Sequence, residues 1–267
     1  MPSAISPILL ATDLSPWCDR AKERALWLAR RDRRRLRILH VTDSPGRAGH
    51  HLAAMLADEA PDIEAEVVIR AGEPWEEIDA EAAALDPFVV MVGRHRPDAL
   101  RDFFLAPTAT LVEAGPPVLQ AVNLHAGPWR RVVVGTDFSP LAQTALAAAL
   151  ALAPEAPFHL LHAFEMPFAG FITNRADTRE VMDRHRADLE TAGRAAIDAA
   201  GGQGRDIELL LARGGVVPTL HAEARRLDAD LLVIGTGGGG GQAFGSTARA
   251  LTADPPCDLL VVPPRRS

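Results

Sequence analysis

Short apolar runs that end in polar turns recur along the chain. Two of them are nearly identical, Ile8–Pro16 (ILLATDLSP) and Val132–Pro140 (VVVGTDFSP), and they lie 124 residues apart. Runs of about four to six apolar residues are typical of strands that are buried on both faces of a parallel sheet. The Asp, Ser and Pro that follow are residues that begin helices. Each stretch therefore predicts a buried strand followed directly by a helix.

Further strand patterns follow both copies in the same order. The matched stretches are Arg35–Val41 with Phe158–Phe164, Glu64–Ile78 with Asp206–Leu220, Pro87–His95 with Ala229–Gly237, and Pro116–Val122 with Pro256–Val262. Each half thus has five predicted strands that alternate with helical patterns. This alternation predicts right-handed crossover units, which build a doubly wound parallel sheet with helices on both faces.

The repeat divides the chain into two predicted domains, residues 1–123 and 130–267. The stretch Asn123–Arg130 (NLHAGPWR) joins them, and its Gly-Pro indicates an irregular linker. Between its second and third strands the first half has about twenty residues, whereas the second half has about forty. The longer connection predicts an apolar entrance loop (MPFAGF) and one full, charged helix near residues 175–200.

Composition narrows the class of protein. The chain has 267 residues, 48% of them apolar, which is enough for a core in each of two domains. Its formal net charge of -7 argues against a general nucleic-acid binder, which would need cations to neutralise phosphates. The basic run Arg30–Arg37 is interpreted as the exposed end of a helix, where cations meet the negative pole of the dipole. Cys18 and Cys257 do not form a disulfide pattern, and both are predicted to be buried and reduced.

No stretch predicts a signal peptide or a membrane span. The most apolar helical pattern, TALAAALALAP, is too short to cross a bilayer and ends at Pro154. We therefore expect a cytoplasmic protein without a membrane partner. His50 and His51 are adjacent and have no neighbouring ligand cluster, so we expect no metal site there. No nucleophile and base are spaced as a catalytic group.

The most unusual stretch is Ile234–Leu251 (IGTGGGGGQAFGSTARAL), in which five glycines follow a predicted strand. In an open parallel sheet, ligands bind beyond the carboxyl ends of the strands. Glycines let backbone N–H groups approach an anion, and a helix N-terminus attracts negative charge. Ser246 and Thr247 either cap the following helix or donate to a phosphate. The alternative for the glycines is a flexible surface loop. The stretch has no Lys of a Walker P-loop and follows the fourth strand, so it is not a dinucleotide fingerprint.

Both halves resemble the universal stress protein family. The shared marks are the strand-one Asp in ATD and GTD, the turn GEPWEEI, and the strand end VIGTGG followed by Gly-Ser. The resemblance covers essentially the whole chain as two domains in tandem. It implies two flavodoxin-like (Rossmann-like) α/β domains, each with a five-stranded parallel sheet of order 3-2-1-4-5 and helices on both faces. It also implies that the two domains pair through their fifth strands, near Val118–Val122 and Leu259–Val262.

Many members of that family bind ATP through the signature G-2x-G-9x-G-[S/T]. Carried onto the second half, the resemblance implies contacts from Thr136, Asp137, Ala163, Gly235, Gly238, Gly245, Ser246 and Thr247. Asp137 would accept from ribose or adenine donors, and its alternative role is to cap the helix that begins near Ser139. Only six residues, Gly239–Phe244, separate the second and third signature glycines, where nine are usual. Because ordering this glycine-rich loop on binding costs conformational entropy, we expect a weaker affinity for ATP than is typical of the family.

The first half departs from the signature in another way. Gly93 remains, but Arg96 stands at the second glycine, and Ala106 and Pro107 stand where Gly-Ser would be. Arg96 carries a side chain into the phosphate path, and a proline has no N–H to donate. The first half is therefore predicted not to bind ATP in the family manner, and its Asp13 to be structural. An alternative is that residues 94–96 (Arg-His-Arg) hold another anion.

The resemblance and the residues together predict a stress-response regulatory protein that binds ATP, with or without Mg²⁺, in its second half and has no dedicated catalysis. Its protein partner is unknown, and a homodimer of tandem chains is left open. Two alternatives remain: an interaction scaffold that binds no nucleotide, and a slow ATPase. His40 and His162 occupy the same place on the second strand of each half, and each is predicted to bond to backbone with a ring nitrogen.

Overall fold

A computed structural model of the protein describes residues 6–43, 52, 54, 58–93, 115–124, 126–165, 175–237 and 245–264. The described residues form two compact units. The first unit combines those of Met1–Pro128 with those of Thr236–Ser267, and the second is Trp129–Gly235. The predicted division into residues 1–123 and 130–267 follows the sequence repeat and stays a prediction.

Ten strands and six helices have described bounds. The strands are β1 (Ile8–Ala11), β2 (Leu36–Val41), β3 (Ala65–Arg70), β4 (Val89–Val92), β5 (Val118–Gln120), β6 (Val132–Gly135), β7 (Phe158–Phe164), β8 (Ile207–Arg213), β9 (Leu231–Gly235) and β10 (Asp258–Val262). The helices are α1 (Asp19–Asp32), α2 (Pro74–Leu85), α3 (Pro140–Leu152), α4 (Arg175–Ala199), α5 (Val216–Arg226) and α6 (Ser246–Ala253).

The sheet of the first unit has the order β3-β2-β1-β4-β5-β10. Its first five strands are parallel, as the apolar runs predict, and β1 and β4 are buried along their whole length. β10 pairs with β5 in antiparallel register, with Leu260 opposite Leu119. The predicted order 3-2-1-4-5 of the first half is thus confirmed, and so is the pairing of the two fifth strands. That pairing covers an apolar edge that β5 would otherwise expose.

The second unit has a parallel sheet of order β8-β7-β6-β9, the same order as β3-β2-β1-β4. Two glycines show that helices cover both of its faces. A Cβ on Gly135 would lie 3.0 Å from the Leu220 side chain of α5, and a Cβ on Gly235 would lie 3.0 Å from the Leu141 side chain of α3. Gly135 and Gly235 point to opposite faces, because Val134 is in register with Val233 and side chains alternate along each strand.

Three local predictions are confirmed, for the long helix, the basic run and the two cysteines. The predicted long helix of the second half is α4, of 25 residues. The basic run begins in the last turn of α1, where Arg30 and Arg31 lie, and Arg30 binds Asp62 at 2.8 Å. Both cysteines are buried free thiols. None of the helices in the described part of the chain is long and apolar enough to cross a membrane.

A buried ion pair joins distant parts of the first unit. Arg24 of α1 contacts the Asp258 carboxylate at the start of β10 at 3.1 Å, and the two side chains are 4% and 1% exposed. Asp258 Oδ1 also accepts from the backbone amides of Val122 and Asn123 at 2.8 and 2.9 Å. Arg24 in turn donates to the carbonyl oxygen of Gly127. The backbone at Val122 and Asn123 is therefore fixed to β10, and the backbone at Gly127 is fixed to α1.

Candidate functional site

The turn after β6 connects that strand to α3. The Thr136 hydroxyl oxygen accepts from the Phe138 amide at 2.9 Å, and Asp137 Oδ1 accepts from the Ser139 amide at 3.0 Å. Phe138 has a φ of 62°, in the left-handed region that residues other than glycine rarely adopt. The two side-chain acceptors hold this strained turn. The Asp137 side chain is exposed at the carboxyl end of the strand.

The cap of α3 is Ser139. Its side chain accepts from the Ala142 amide at 3.3 Å, and Pro140 occupies the first helical position. The alternative in which Asp137 caps this helix is therefore wrong. Asp137 supports the turn before the helix through one carboxylate oxygen, and the carboxylate carries its charge where solvent and solutes reach it.

Ala163 lies near the end of β7 and is half-buried, next to His162. The Nδ1 atom of His162 is 2.8 Å from the carbonyl oxygen of Thr136. Because a carbonyl oxygen only accepts, Nδ1 carries the proton and donates it. The prediction that this histidine bonds to backbone is confirmed. The hydrogen bond joins the end of β7 to the turn that carries Asp137.

Gly235 ends β9, and its surroundings explain the glycine by packing. A Cβ there would lie 3.0 Å from Cγ of Leu141 and 3.3 Å from its Cδ2, which is closer than most real contacts. A side chain at this position would require the Leu141 side chain to shift by a few tenths of an ångström. The sequence pattern suggests that Gly235 binds phosphate. The close packing of Leu141 is a second, structural reason for a glycine at this position.

Gly245, Ser246 and Thr247 lie at the start of α6. Gly245 is the N-cap residue and Ser246 is the first helical residue, and no side chain of the described residues makes a cap hydrogen bond to this helix. The alternative in which the Ser246 or Thr247 hydroxyl is a plain cap is therefore wrong. The first N–H groups of a helix have no partner inside it and carry partial positive charge. An exposed serine hydroxyl stands directly beside them.

Thr236 is a residue of interest that the sequence did not single out. It is 1% exposed, and its hydroxyl oxygen has no hydrogen-bond partner among the described residues. Its carbonyl oxygen accepts from the Gly245 amide at 2.7 Å, which places it next to the start of α6. A buried hydroxyl without a partner costs about 1–3 kcal/mol. The signature pattern treats this position as variable, so only the fold reveals it.

The first half has the same turn after β1. The Thr12 hydroxyl accepts from the Leu14 amide at 3.1 Å, and Asp13 Oδ1 accepts from the Ser15 amide at 2.8 Å. Leu14 has a φ of 62°, like its counterpart. His40 Nδ1 lies 2.8 Å from the Thr12 carbonyl oxygen, which confirms the prediction for this histidine too. The backbone geometry at this point is thus common to both halves.

The surroundings of that turn differ, however. The first helix begins at Asp19 with Cys18 as its N-cap residue, three residues later than the Ser-Pro pattern predicts. A Cβ on Gly93 would lie 2.7 Å from the Trp17 carbonyl oxygen and 2.8 Å from Cys18 Cα. Backbone therefore fills the space over the end of β4. Burial raises the pKa of the Cys18 thiol from 9.0 to about 11, and the Asp13 charge acts in the same direction.

Several predicted residues lie outside the described part of the chain. They are Gly238 and Gly239–Phe244 in the second half, and Arg94, His95, Arg96, Ala106 and Pro107, together with His50 and His51, in the first. Their assignments stay predictions. Within the described ranges, no group of three or more His, Cys, Asp or Glu residues is placed to hold a metal ion.

Parallel strands in the order third, second, first, fourth, with a repeated turn after the first of them, define a flavodoxin-like α/β protein with an internal repeat. The model of the universal stress protein family matches residues 4–61 and 128–263, which is more than half of the chain. The chain therefore belongs to the universal stress protein family. The matched segments include nearly all of the second half and only the beginning of the first.

Several solved structures resemble nearly the whole chain. A functionally unknown protein from Pseudomonas aeruginosa PAO1 has 21% sequence identity and a TM-score of 0.69, covering 98% of this chain and 93% of its own. A universal stress protein from Archaeoglobus fulgidus DSM 4304 has 20% identity and a TM-score of 0.64, covering 98% of this chain and 99% of its own. At this identity the likeness establishes the fold alone. No curated protein sequence matches the chain significantly.

Proposed function

We propose that this universal stress protein is a regulatory protein that binds ATP in its second half and has no dedicated catalysis. The observation that carries the proposal is the start of α6. A glycine caps this helix, and the Ser246 hydroxyl is not spent on capping. Together with the first N–H groups of the helix, that hydroxyl suits a phosphate.

The orphaned hydroxyl of Thr236 supports the same assignment. Its oxygen is buried next to Gly245 and has no partner in the described part of the chain. Buried polar groups in native proteins are nearly always hydrogen-bonded, so such a group calls for a partner. A phosphate, or backbone that a phosphate orders, supplies one. Mg²⁺ would accompany the phosphates and keep most of its waters.

The turn after β6 suits the nucleoside end of ATP. Its exposed Asp137 carboxylate is an acceptor for ribose hydroxyls or for an adenine amino group. The half-buried backbone at Ala163, joined to the turn through His162, provides further donors and acceptors. Sequence resemblance assigns these residues to the same ligand as the start of α6.

We propose one nucleotide per chain. The space over the end of β4 in the first half is filled by the backbone of Trp17 and Cys18, which would lie within 2.8 Å of a Cβ on Gly93. The first half also lacks the signature glycines in its sequence. We assign it a structural role. In this proposal ATP biases the second half toward one conformation, and an unknown protein partner reads that change.

The test is a calorimetric titration of ATP and Mg²⁺ into the protein, after any nucleotide that co-purifies has been removed. We expect one ATP per chain, with an affinity that drops about tenfold in Asp137→Asn, the loss of one charge-assisted hydrogen bond. Asp13→Asn is the matched control, since it makes the same change in the same turn of the first half, and it should leave the affinity unchanged.

Two outcomes would contradict the proposal. Absence of binding up to about 1 mM, weaker than about -4 kcal/mol, would favour the interaction scaffold, which the shortened loop between the signature glycines already supports. Steady release of phosphate that disappears in Asp137→Asn would favour a slow ATPase.

A further inference from the structure

A ladder of four rings runs through the second unit beside the Asp137 turn. The rings of Phe138 and His162 stack with centroids 4.5 Å apart and planes at 24°. His162 and Phe164 are parallel within 5°, with centroids 6.5 Å apart. Phe164 meets His185 of α4 edge-on at 5.8 Å. We name these four residues the ring ladder. It connects the turn after β6, the end of β7 and the middle of α4.

The ring ladder acts on the turn at two points. His162 donates through Nδ1 to the carbonyl oxygen of Thr136, and this carbonyl belongs to the peptide group that leads into Asp137. The orientation of that peptide plane is thereby fixed. The same imidazole stacks on Phe138, the residue directly after Asp137, which is held in the left-handed conformation. Asp137 is therefore flanked on both sides by groups that His162 holds.

The first half provides an internal comparison. His40 makes the same hydrogen bond to Thr12, also at 2.8 Å, beside the same strained turn. At the places of Phe138 and Phe164, however, the first half has Leu14 and Thr42. The hydrogen bond is thus common to both halves, whereas the stacked rings belong to the second. The half that has the rings is also the half to which we assign the nucleotide.

We propose that His162 is a positioning residue for nucleotide binding, and that the ring ladder keeps the Asp137 turn in the conformation that receives the nucleoside. This inference rests on the proposed function. Preorganised side chains bind more tightly because less conformational freedom is lost on binding. The hydrogen bond sets the direction of the turn, and the stacked rings restrict its motion. Asp137 is therefore already oriented for binding in the free protein, before ATP binds.

The first experiment converts the second half to the composition of the first. The double variant Phe138→Leu with Phe164→Thr places at these two positions the residue types that the first half has at Leu14 and Thr42. Leu14 has a φ of 62°, so leucine is compatible with the backbone conformation of Phe138. We expect the ATP affinity to fall about tenfold, because the turn must be ordered on binding. An affinity within about twofold of the wild type would overturn the inference, because the loss of the stacked rings would then leave binding essentially unchanged.

The second experiment separates the two actions of His162. Asn in place of His162 keeps an N–H donor near Nδ1 and removes the ring, Phe keeps a ring and removes the donor, and Leu removes both. We expect His162→Leu to bind most weakly, with His162→Asn and His162→Phe intermediate. His40→Leu is the matched control and should leave the affinity unchanged. An equal loss in His40→Leu would mean that general stability is responsible, and would overturn the inference.

A third measurement needs no nucleotide. The amides of Phe138 and Ser139 donate to side chains of the turn, so their hydrogen exchange in the free protein reports whether the turn is held. We expect faster exchange in His162→Leu and unchanged exchange at Leu14 and Ser15. If the wild-type protein bound no ATP, that result would contradict the proposed function. Unchanged exchange at Phe138 and Ser139 would remove the positioning role, even if ATP binds.

Discussion

The role of one hydroxyl, that of Ser246, distinguishes a phosphate-binding site at the start of α6 from an ordinary helix end. Ser246 makes no cap bond there, whereas Ser139 caps α3 through its hydroxyl. We therefore expect Ser139→Ala to lower the free energy of unfolding by about 1 kcal/mol, the usual value of a cap. Ser246→Ala should leave it unchanged and weaken ATP binding instead. Thermal unfolding and calorimetry of both variants check this pair. A stability loss in Ser246→Ala would return that hydroxyl to a structural role.

Thr236→Val should have opposite effects on stability and on binding. Valine has nearly the shape of threonine and lacks the orphaned hydroxyl, so the free protein should gain about 1–2 kcal/mol. If the hydroxyl serves the nucleotide, the affinity for ATP should fall at the same time. Thr236→Ser keeps the hydroxyl and should bind ATP like the wild type. A loss of stability in Thr236→Val would show that the hydroxyl already has a partner.

Cys18 gives the stability of the protein a dependence on alkaline pH. Its pKa is raised by burial from 9.0 to about 11, so the folded state holds the thiol proton more tightly than the unfolded state. The resulting stability is complete below about pH 9 and is lost as the pH rises to about 11, a change of about 2–3 kcal/mol. The chain has no tyrosine, and Lys22 is its only lysine, so few other groups titrate in this range. Denaturant unfolding of the wild type and Cys18→Ala at pH 8 and 10.5 measures the loss of stability between the two pH values. We expect that loss to be smaller in the variant, which keeps only the buried Cys257 thiol.

At the scale of elements, the sequence predicts the strands and their order well, because each apolar run has sharp polar limits and occurs twice. It predicts the start of α3 at the Ser-Pro pattern, but α1 begins three residues later although its Ser-Pro is the same. Two structural features could not be predicted, for a common reason. The burial of Thr236 and the pairing of Arg24 with Asp258 depend on contacts between segments distant in sequence. No local pattern carries that information.

The junction of α1, β10 and the backbone at Val122, Asn123 and Gly127 should be sensitive to one substitution. Asp258→Ala would remove the buried carboxylate that pairs with the Arg24 guanidinium and accepts from two backbone amides, a loss of about 3–5 kcal/mol. The control is Asp62→Ala, which breaks an Arg–Asp pair of the same unit whose side chains are 42% and 56% exposed. Pairs that are exposed to solvent stabilise the folded state much less than buried pairs do. Denaturant unfolding measures the free energy of unfolding of both variants. Equal losses of stability in the two would contradict the larger contribution that we assign to the buried Arg24–Asp258 pair.

At the scale of the whole molecule, the last strand of the chain completes the sheet of the first unit. Removing β10 would expose the edge of β5, and open apolar edges pair with other chains. A chain that ends at Asp254 should therefore self-associate, whereas a chain that ends at Pro264 keeps β10 and should not. Light scattering after size-exclusion chromatography compares the two chains. If the shortened chain had the same oligomeric state as the longer one, the exposed edge of β5 would not cause self-association, and the prediction would be wrong.

The place of β10 has a consequence for biosynthesis. Asp258 is made 234 residues after Arg24, which at about 5–20 residues per second means roughly ten to fifty seconds later. The first 128 residues therefore leave the ribosome before the strand that completes their sheet exists. Trp129–Gly235, by contrast, is one continuous segment that holds all four of its strands. We expect Trp129–Gly235 to reach its native state first, and the sheet of the N-terminal segment to be completed only after β10 has been synthesised.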